Sequence, residues 1–132
     1  MGTRHINPTA LGTPTGYSHV TIAGPGRLVY ASGQVARDPN GVLIGPGDLA
    51  AQTEQIYENL RTALAAAGAD LADLVKVVTY VVDLTPEKAD IVRSVRNRYM
   101  GNGPFPASTM VGVSSLVSTN LMIEIEATAM ID

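Results

Sequence analysis

Two glutamates near the end of the chain, Glu124 and Glu126, are the first candidates for chemistry. In the run IEIEATA their spacing puts both on one side of a strand. A carboxylate held there can orient a water or act as a general base if burial raises its pKa. The same spacing also suits two solvated acids on an exposed face. The run Ser32-Gly33-Gln34 closes an earlier strand candidate. Glycine lets a ligand approach the backbone, and adjacent amides can hold a carboxylate or oxyanion; a bulge or strand-end turn uses the same residues. Tyr17 follows Gly16 and offers either a hydroxyl and flat face to a ligand or plain packing.

The segment PFPAST, Pro104 to Thr109, carries two prolines that fix the chain and two hydroxyls, Ser108 and Thr109, that end it. Arg93, Arg96 and Arg98 form the one local basic cluster. It could grip a phosphate, but a solvated helix end is the favoured reading. His5 and His19 are the only histidines and lack metal-ligand spacing. Ser114 and Ser115 stand outside any G-x-S-x-G elbow, and no His-acid arrangement activates a serine. No P-loop and no complete G-x-G-x-x-G is present.

These residues need elements to position them. The first fifteen residues, rich in Gly, Pro and Thr, read as irregular. Strand candidates YSHVTIA (17–23) and RLVYAS (27–32) flank Gly24-Pro25-Gly26, which suggests a hairpin. DPNG (38–41) marks a second, shorter turn. Asp48 is a good N-cap for a helix whose stripe is Ile56, Leu60, Ala63, Leu64 and Ala67, and Gly68 is placed to stop it. VKVVTYVV (75–82) is apolar on both faces, as a central, covered strand requires. Thr85-Pro86 opens a second helix with Ala89, Val92, Val95 and Tyr99 inward, and Gly101 ends it. TMVGV (109–113) and LMIEIEATAMI (121–131) close the chain as strands, with Leu121, Ile123, Ile125, Ala127, Ala129 and Ile131 on one face. The order predicts a single α+β domain over 1–132, with two helices on one face of a mixed sheet. The other face of the central strand still needs cover, and another subunit is the economical answer.

Composition narrows the classes. At 45% hydrophobic and 16% charged, 132 residues suffice for one globular domain. The net charge of −3 and scattered basic residues give no footprint for nucleic acid. There is no cysteine, which removes disulfides, thiol nucleophiles and thiolate-bound zinc and fits a reducing compartment. The N-terminus lacks the apolar core of a signal peptide, and no apolar run approaches the ~20 residues that span a bilayer. A soluble, cytoplasmic protein is expected.

Together the segments GYSHV (16–20), SGQ (32–34), the block from Gln52 to Leu84, PFPAST (104–109) and IEIEATA (123–129) resemble the RidA/YjgF family, also called L-PSP endoribonuclease-like. The resemblance runs over nearly the whole chain from about Thr15 onward. It implies a chorismate-mutase-like subunit in a barrel-like homotrimer with ligand clefts between subunits. It also implies hydrolysis of reactive enamines and imines to a 2-keto acid and ammonia, with no metal or organic cofactor. In that chemistry water attacks the imine carbon and the resulting carbinolamine expels ammonia. By position, Glu124 matches the glutamate that orders the water, Tyr17 the cleft tyrosine, and Ser32 and Gly33 the strand-end residues near the ligand.

One match fails. The deaminase pattern reads P-A-R-S, and Ser108 stands here in the place of the arginine that pairs with the substrate's carboxylate. A hydroxyl carries no charge, and losing one partner of a buried ion pair costs ~3–5 kcal/mol. A keto-acid-type substrate is then expected to bind poorly unless another cation substitutes; Arg93, near a family asparagine, is the sequence candidate. The expectation is a cofactor-free hydrolase of deaminase type, altered for a less acidic substrate, with Glu124 catalytic and Tyr17, Ser32, Gly33, Arg93, Ser108 and Thr109 lining the cleft. The alternative is a non-catalytic trimer that binds a metabolite or protein. Endoribonuclease or translation-inhibitor activity ranks third, against the acidic balance.

Overall fold

The computed structural model describes residues 2–132. Strands β1 (Arg4–Ile6), β2 (Val20–Ile22) and β3 (Arg27–Gln34) precede helix α1 (Leu49–Ala66). Strand β4 (Leu74–Val82), helix α2 (Pro86–Met100) and strands β5 (Ala107–Val113) and β6 (Ile123–Ile131) follow. The main sheet runs β3-β6-β4-β5; β3/β6 and β6/β4 are antiparallel and β4/β5 is parallel. With both helices on one face of a mixed sheet, the chain is α+β.

The helices begin and end where local chemistry directs. Asp48 accepts from the Ala51 amide at 3.0 Å, capping α1. At the far end Gly68, at φ +80°, donates to Ala65, and Ala69 donates to Leu64, which ties off the last carbonyls. Thr85 accepts from the Lys88 amide at 3.2 Å with Pro86 at the first helical position of α2. Ile56, Leu60 and Leu64 of α1 and Val92 and Val95 of α2 bury against Val77, Val81, Ile123, Ile125 and Ala127 of the sheet. Each such aliphatic side chain contributes about 1.5–3 kcal/mol when fully buried. The α1 stripe differs from the expected one. Ala63 is half-buried and Ala67 exposed, and Gln52, Thr53 and Tyr57 are buried instead. Gln52 can sit there because its amide donates to the carbonyls of Gly45 and Asn120 and accepts from the Met122 amide.

Two expectations for the N-terminal third are corrected. The segment before residue 15 is not wholly irregular, since it holds β1 and a 3-10 turn at Thr9–Leu11. The strands flanking Gly24-Pro25-Gly26 do not pair as a hairpin. β2 pairs with β1, and β3 with β6. Gly24 and Gly26, both at positive φ, redirect the chain, while the Thr21 hydroxyl donates to the Val75 carbonyl at 2.8 Å and holds β2 at the start of β4.

The face of the sheet away from the helices is uncovered. Tyr30 is 74% exposed there, with Leu28 and Val111 also exposed and Val78 and Tyr80 half-buried beside them. Among the described residues, no helix is long and apolar enough to cross a membrane.

Candidate functional site

Strand registers divide the candidate residues between two faces. On β6, Glu124 stands opposite Tyr80, and Glu126 opposite Val78. Both acids therefore project from the uncovered face. Ser108 stands opposite Val77, which pairs in turn with buried Ala127, so its side chain lies on the helix-covered face. Thr109, one residue on, faces the other way and accepts from Lys76 Nζ at 2.9 Å.

Glu124 is held by an irregularity in β3. Pairing with β6 jumps from Ala31–Ala127 to Gln34–Ile125, so one extra residue is accommodated at Ser32-Gly33. Such a bulge bends the strand and re-aims what lies beside it. The Glu124 carboxylate fills the space over Gly33; a Cβ at Gly33 would overlap it, standing 2.7 Å from its Cδ. Glu124 is half-buried and has no hydrogen-bond or ion-pair partner among the described residues. Its neighbour is engaged, because the Tyr80 hydroxyl donates to Glu126 at 2.6 Å. That hydrogen bond, more than partial desolvation and the charges of Glu126 and Glu124, raises the Tyr80 pKa. The fixed phenol leaves Glu124 as the free carboxylate of the pair.

On the other face, PFPAST is tied to the Gly16-Tyr17 turn. Ser18 Oγ donates to the Phe105 carbonyl at 2.7 Å, and the Ser18 amide to the Pro106 carbonyl at 3.0 Å. Tyr17, half-buried, meets the His19 ring edge-on at 5.4 Å between centroids. A small cavity lies between this turn and α2, lined by Gly16, Tyr57, Arg96, Pro106, Ser108 and Met110 among others. Arg93 does not line it; that side chain is exposed and pairs with Asp90 at 3.3 Å.

Arg96 is the residue sequence reasoning passed over. It follows Val92 by four residues and so continues the buried stripe of α2 toward Met100. That spacing was the available signal, and treating the three arginines as one solvated cluster hid it. Burial lowers the Arg96 pKa against an opposing effect of Tyr57 and with a smaller contribution from Arg93. Tyr57 is pushed up to about 12, mainly by its own burial.

A wider groove of about 830 Å³ opens between α1 and the end of α2. Its charged groups are already engaged, Glu58 with Arg61, Arg98 with Glu54 and Asp70 with the Ala72 amide, so it offers little spare chemistry. No cluster of three or more potential metal ligands occurs among the described residues.

Two helices over a mixed sheet, an acid over a strand bulge and a proline-framed edge segment define a Rid-type α+β subunit. The model of the Endoribonuclease L-PSP family matches residues 8–131, and the chain belongs to this family, that of RidA and YjgF. The crystal structure of the Rid family protein YyfB from Yersinia pestis is 42% identical and superposes with a TM-score of 0.91, covering 99% of this chain and all of that one. Protein DfrA from Myxococcus xanthus is 35% identical over 92% of this chain and 88% of its own length. The rat 2-iminobutanoate/2-iminopropanoate deaminase is 30% identical over 92% of this chain and 82% of its own.

Proposed function

We propose that the chain is a deaminase-like hydrolase of a small imine or enamine, working in clefts between the subunits of a homotrimer. The unpartnered Glu124 carboxylate over Gly33 carries the reading. A carboxylate with free lone pairs can accept from a water and aim its oxygen at an imine carbon. Attack adds hydroxide to carbon, and the proton retained on Glu124 passes to nitrogen to give the carbinolamine; as this collapses, its hydroxyl proton is relayed to nitrogen, the C–N bond breaks, ammonia leaves and the carbonyl forms. The bulge at Ser32-Gly33 brings backbone within reach of the ligand. Glu124 and Ser108 occupy opposite faces, so a cleft using both draws one from each of two copies. The uncovered face with Tyr30 and Leu28 supports such an assembly. The deaminases among the relatives support the reaction class, and the neutral Ser108 in place of the family arginine supports a substrate different from theirs.

Ammonia release from a panel of small imines, 2-iminopropanoate included, tests the proposal. Release from at least one, lowered about 100-fold by Glu124→Gln, is expected. No release from any, or release undiminished by Glu124→Gln, would overturn it. The neutral Ser108, with the Arg96 side chain in the space behind it, favours one other reading, a trimer that binds a metabolite without turnover. Saturable binding of imine analogues with no ammonia release would select it.

A further inference from the structure

Arg96 combines three features that a solvated helix-end arginine lacks. Its Nε is buried and has no hydrogen-bond partner among the described residues. Its one hydrogen bond among the described residues is a long 3.3 Å bond from Nη2 to the side chain of Asn97, the next residue. Among the described residues no carboxylate pairs with it, although Arg61, Arg93 and Arg98 each have one. A half-buried guanidinium without a counter-charge is costly, and chains retain such a group where something anionic completes it.

The fold makes room for this placement. The guanidinium packs against Gly16, where a Cβ would overlap Nη2 and stand 2.9 Å from Cζ. Gly16 sits at φ +74°, so glycine is required there both for conformation and for the passage of Arg96. The guanidinium shares a cavity with Gly16 and Ser108. That cavity is only about 10 Å³, room for roughly one oxygen-sized atom.

We infer that Arg96 is an anion-binding residue, its guanidinium and the Ser108 hydroxyl together gripping the carboxylate of a small acidic ligand beside the Gly16-Tyr17 turn. One carboxylate oxygen enters the cavity and accepts from both groups; the other stays at the mouth on the guanidinium edge. A planar carboxylate matches the planar guanidinium fork in this arrangement. The positive charge missing from position 108 is thereby supplied from α2 instead of from β5. This rests on the small-molecule site proposed above and assigns that site's acid-recognising residue, with the conclusion that carboxylate ligands are still accepted.

Pyruvate, a stable 2-oxo monocarboxylate, serves as the probe, measured by calorimetric titration of the assembled protein. Wild type is expected to bind it, with Arg96→Gln weakening binding about tenfold or more and Ser108→Ala a few-fold. Arg61→Gln, which removes an equal charge from a residue that does not line this cavity, is expected to bind as wild type. Unchanged melting of Arg96→Gln by circular dichroism separates lost recognition from lost fold; if Arg96→Gln melts early, Arg96→Lys, which keeps the charge but not the fork, is expected to fold and bind weakly. Binding by Arg96→Gln equal to wild type, absence of pyruvate binding by wild type, or inorganic phosphate competing on equal terms would each overturn the inference. None of these readings depends on ammonia release, so the inference can fail while the proposed reaction stands, and the reverse.

Discussion

Ser108 and Glu124 lie on opposite faces of one sheet, on strands that each flank β4. One pocket in one chain cannot contain both. If both serve one ligand, the working unit has more than one copy, and the exposed Tyr30 and Leu28 are the apolar surface that a neighbour would cover. Sedimentation equilibrium is expected to give three times the 13.8 kDa chain mass. Tyr30→Asp, which buries a charge at that contact, is expected to shift the mass toward a single chain while helical circular dichroism persists. A wild-type mass equal to one chain would contradict both the assembly and a shared cleft.

The contact between Gly33 and Glu124 gives a more local test. Gly33 has no positive φ, so alanine suits its backbone, but the methyl would occupy the space of the Glu124 carboxylate. The end of a glutamate can swing away cheaply. Gly33→Ala is therefore expected to change stability by no more than about 1 kcal/mol in urea denaturation. Ammonia release from the best imine substrate is expected to fall about 100-fold, as for Glu124→Gln. Full activity in Gly33→Ala would mean that the position of Glu124 over the bulge is immaterial.

Much of this architecture was legible because single residues carry strong local signals. Asp48 and Thr85-Pro86 mark helix starts, Gly68 marks a stop, and the alternation in IEIEATAMI assigns Ile123, Ile125 and Ala127 to the core. What stayed hidden depends on contacts distant in sequence. The pairing of β1 with β2 rests on short segments and on the bond from Thr21 to Val75, which no periodicity announces. The separation of Ser108 from Glu124 requires the register of three strands. Arg96 differs from exposed Arg93 by less than one helical turn; its spacing from Val92 hints at the inward face, and its packing against Gly16 is visible only in the fold.

Gln52 is a buried polar residue whose role is structural. It is fully buried and links α1, the Gly45 turn and the entry to β6 through three hydrogen bonds to backbone. Gln52→Leu keeps the volume but orphans the carbonyl of Asn120 and the amide of Met122, while the Gly45 carbonyl keeps its bond from the Asp48 amide. A loss of about 2–4 kcal/mol is expected, since unsatisfied buried groups are costly and part of the deficit is relieved by water. Urea unfolding should show a lower midpoint with an unchanged slope. A midpoint equal to wild type would mean that the Asn120 carbonyl and the Met122 amide find other partners readily.

Tyr57 and Tyr99 stack at 5.1 Å with ring planes 15° apart, where α1 meets α2. Both pKa values are pushed up to about 12 from the ordinary 10.0. Burial is the main cause for each; for Tyr99 the hydrogen bond to Glu58 and the charges of Glu58 and Glu54 add to it, and Arg61 opposes. The folded chain therefore holds these two protons more tightly than the unfolded chain does. Above pH 10 the unfolded chain releases them first and binds fewer protons, so stability falls as pH rises. The contribution is fully present below pH 10 and is lost as pH climbs through about 12. Melting temperatures across that window are expected to drop more steeply for wild type than for Tyr57→Phe/Tyr99→Phe, which has no phenol at either position to ionise. Equal slopes for the two proteins would assign the alkaline loss to other groups. Tyr99→Phe alone should flatten the curve in part and also release Glu58 from its 2.7 Å hydrogen bond, leaving it to Arg61.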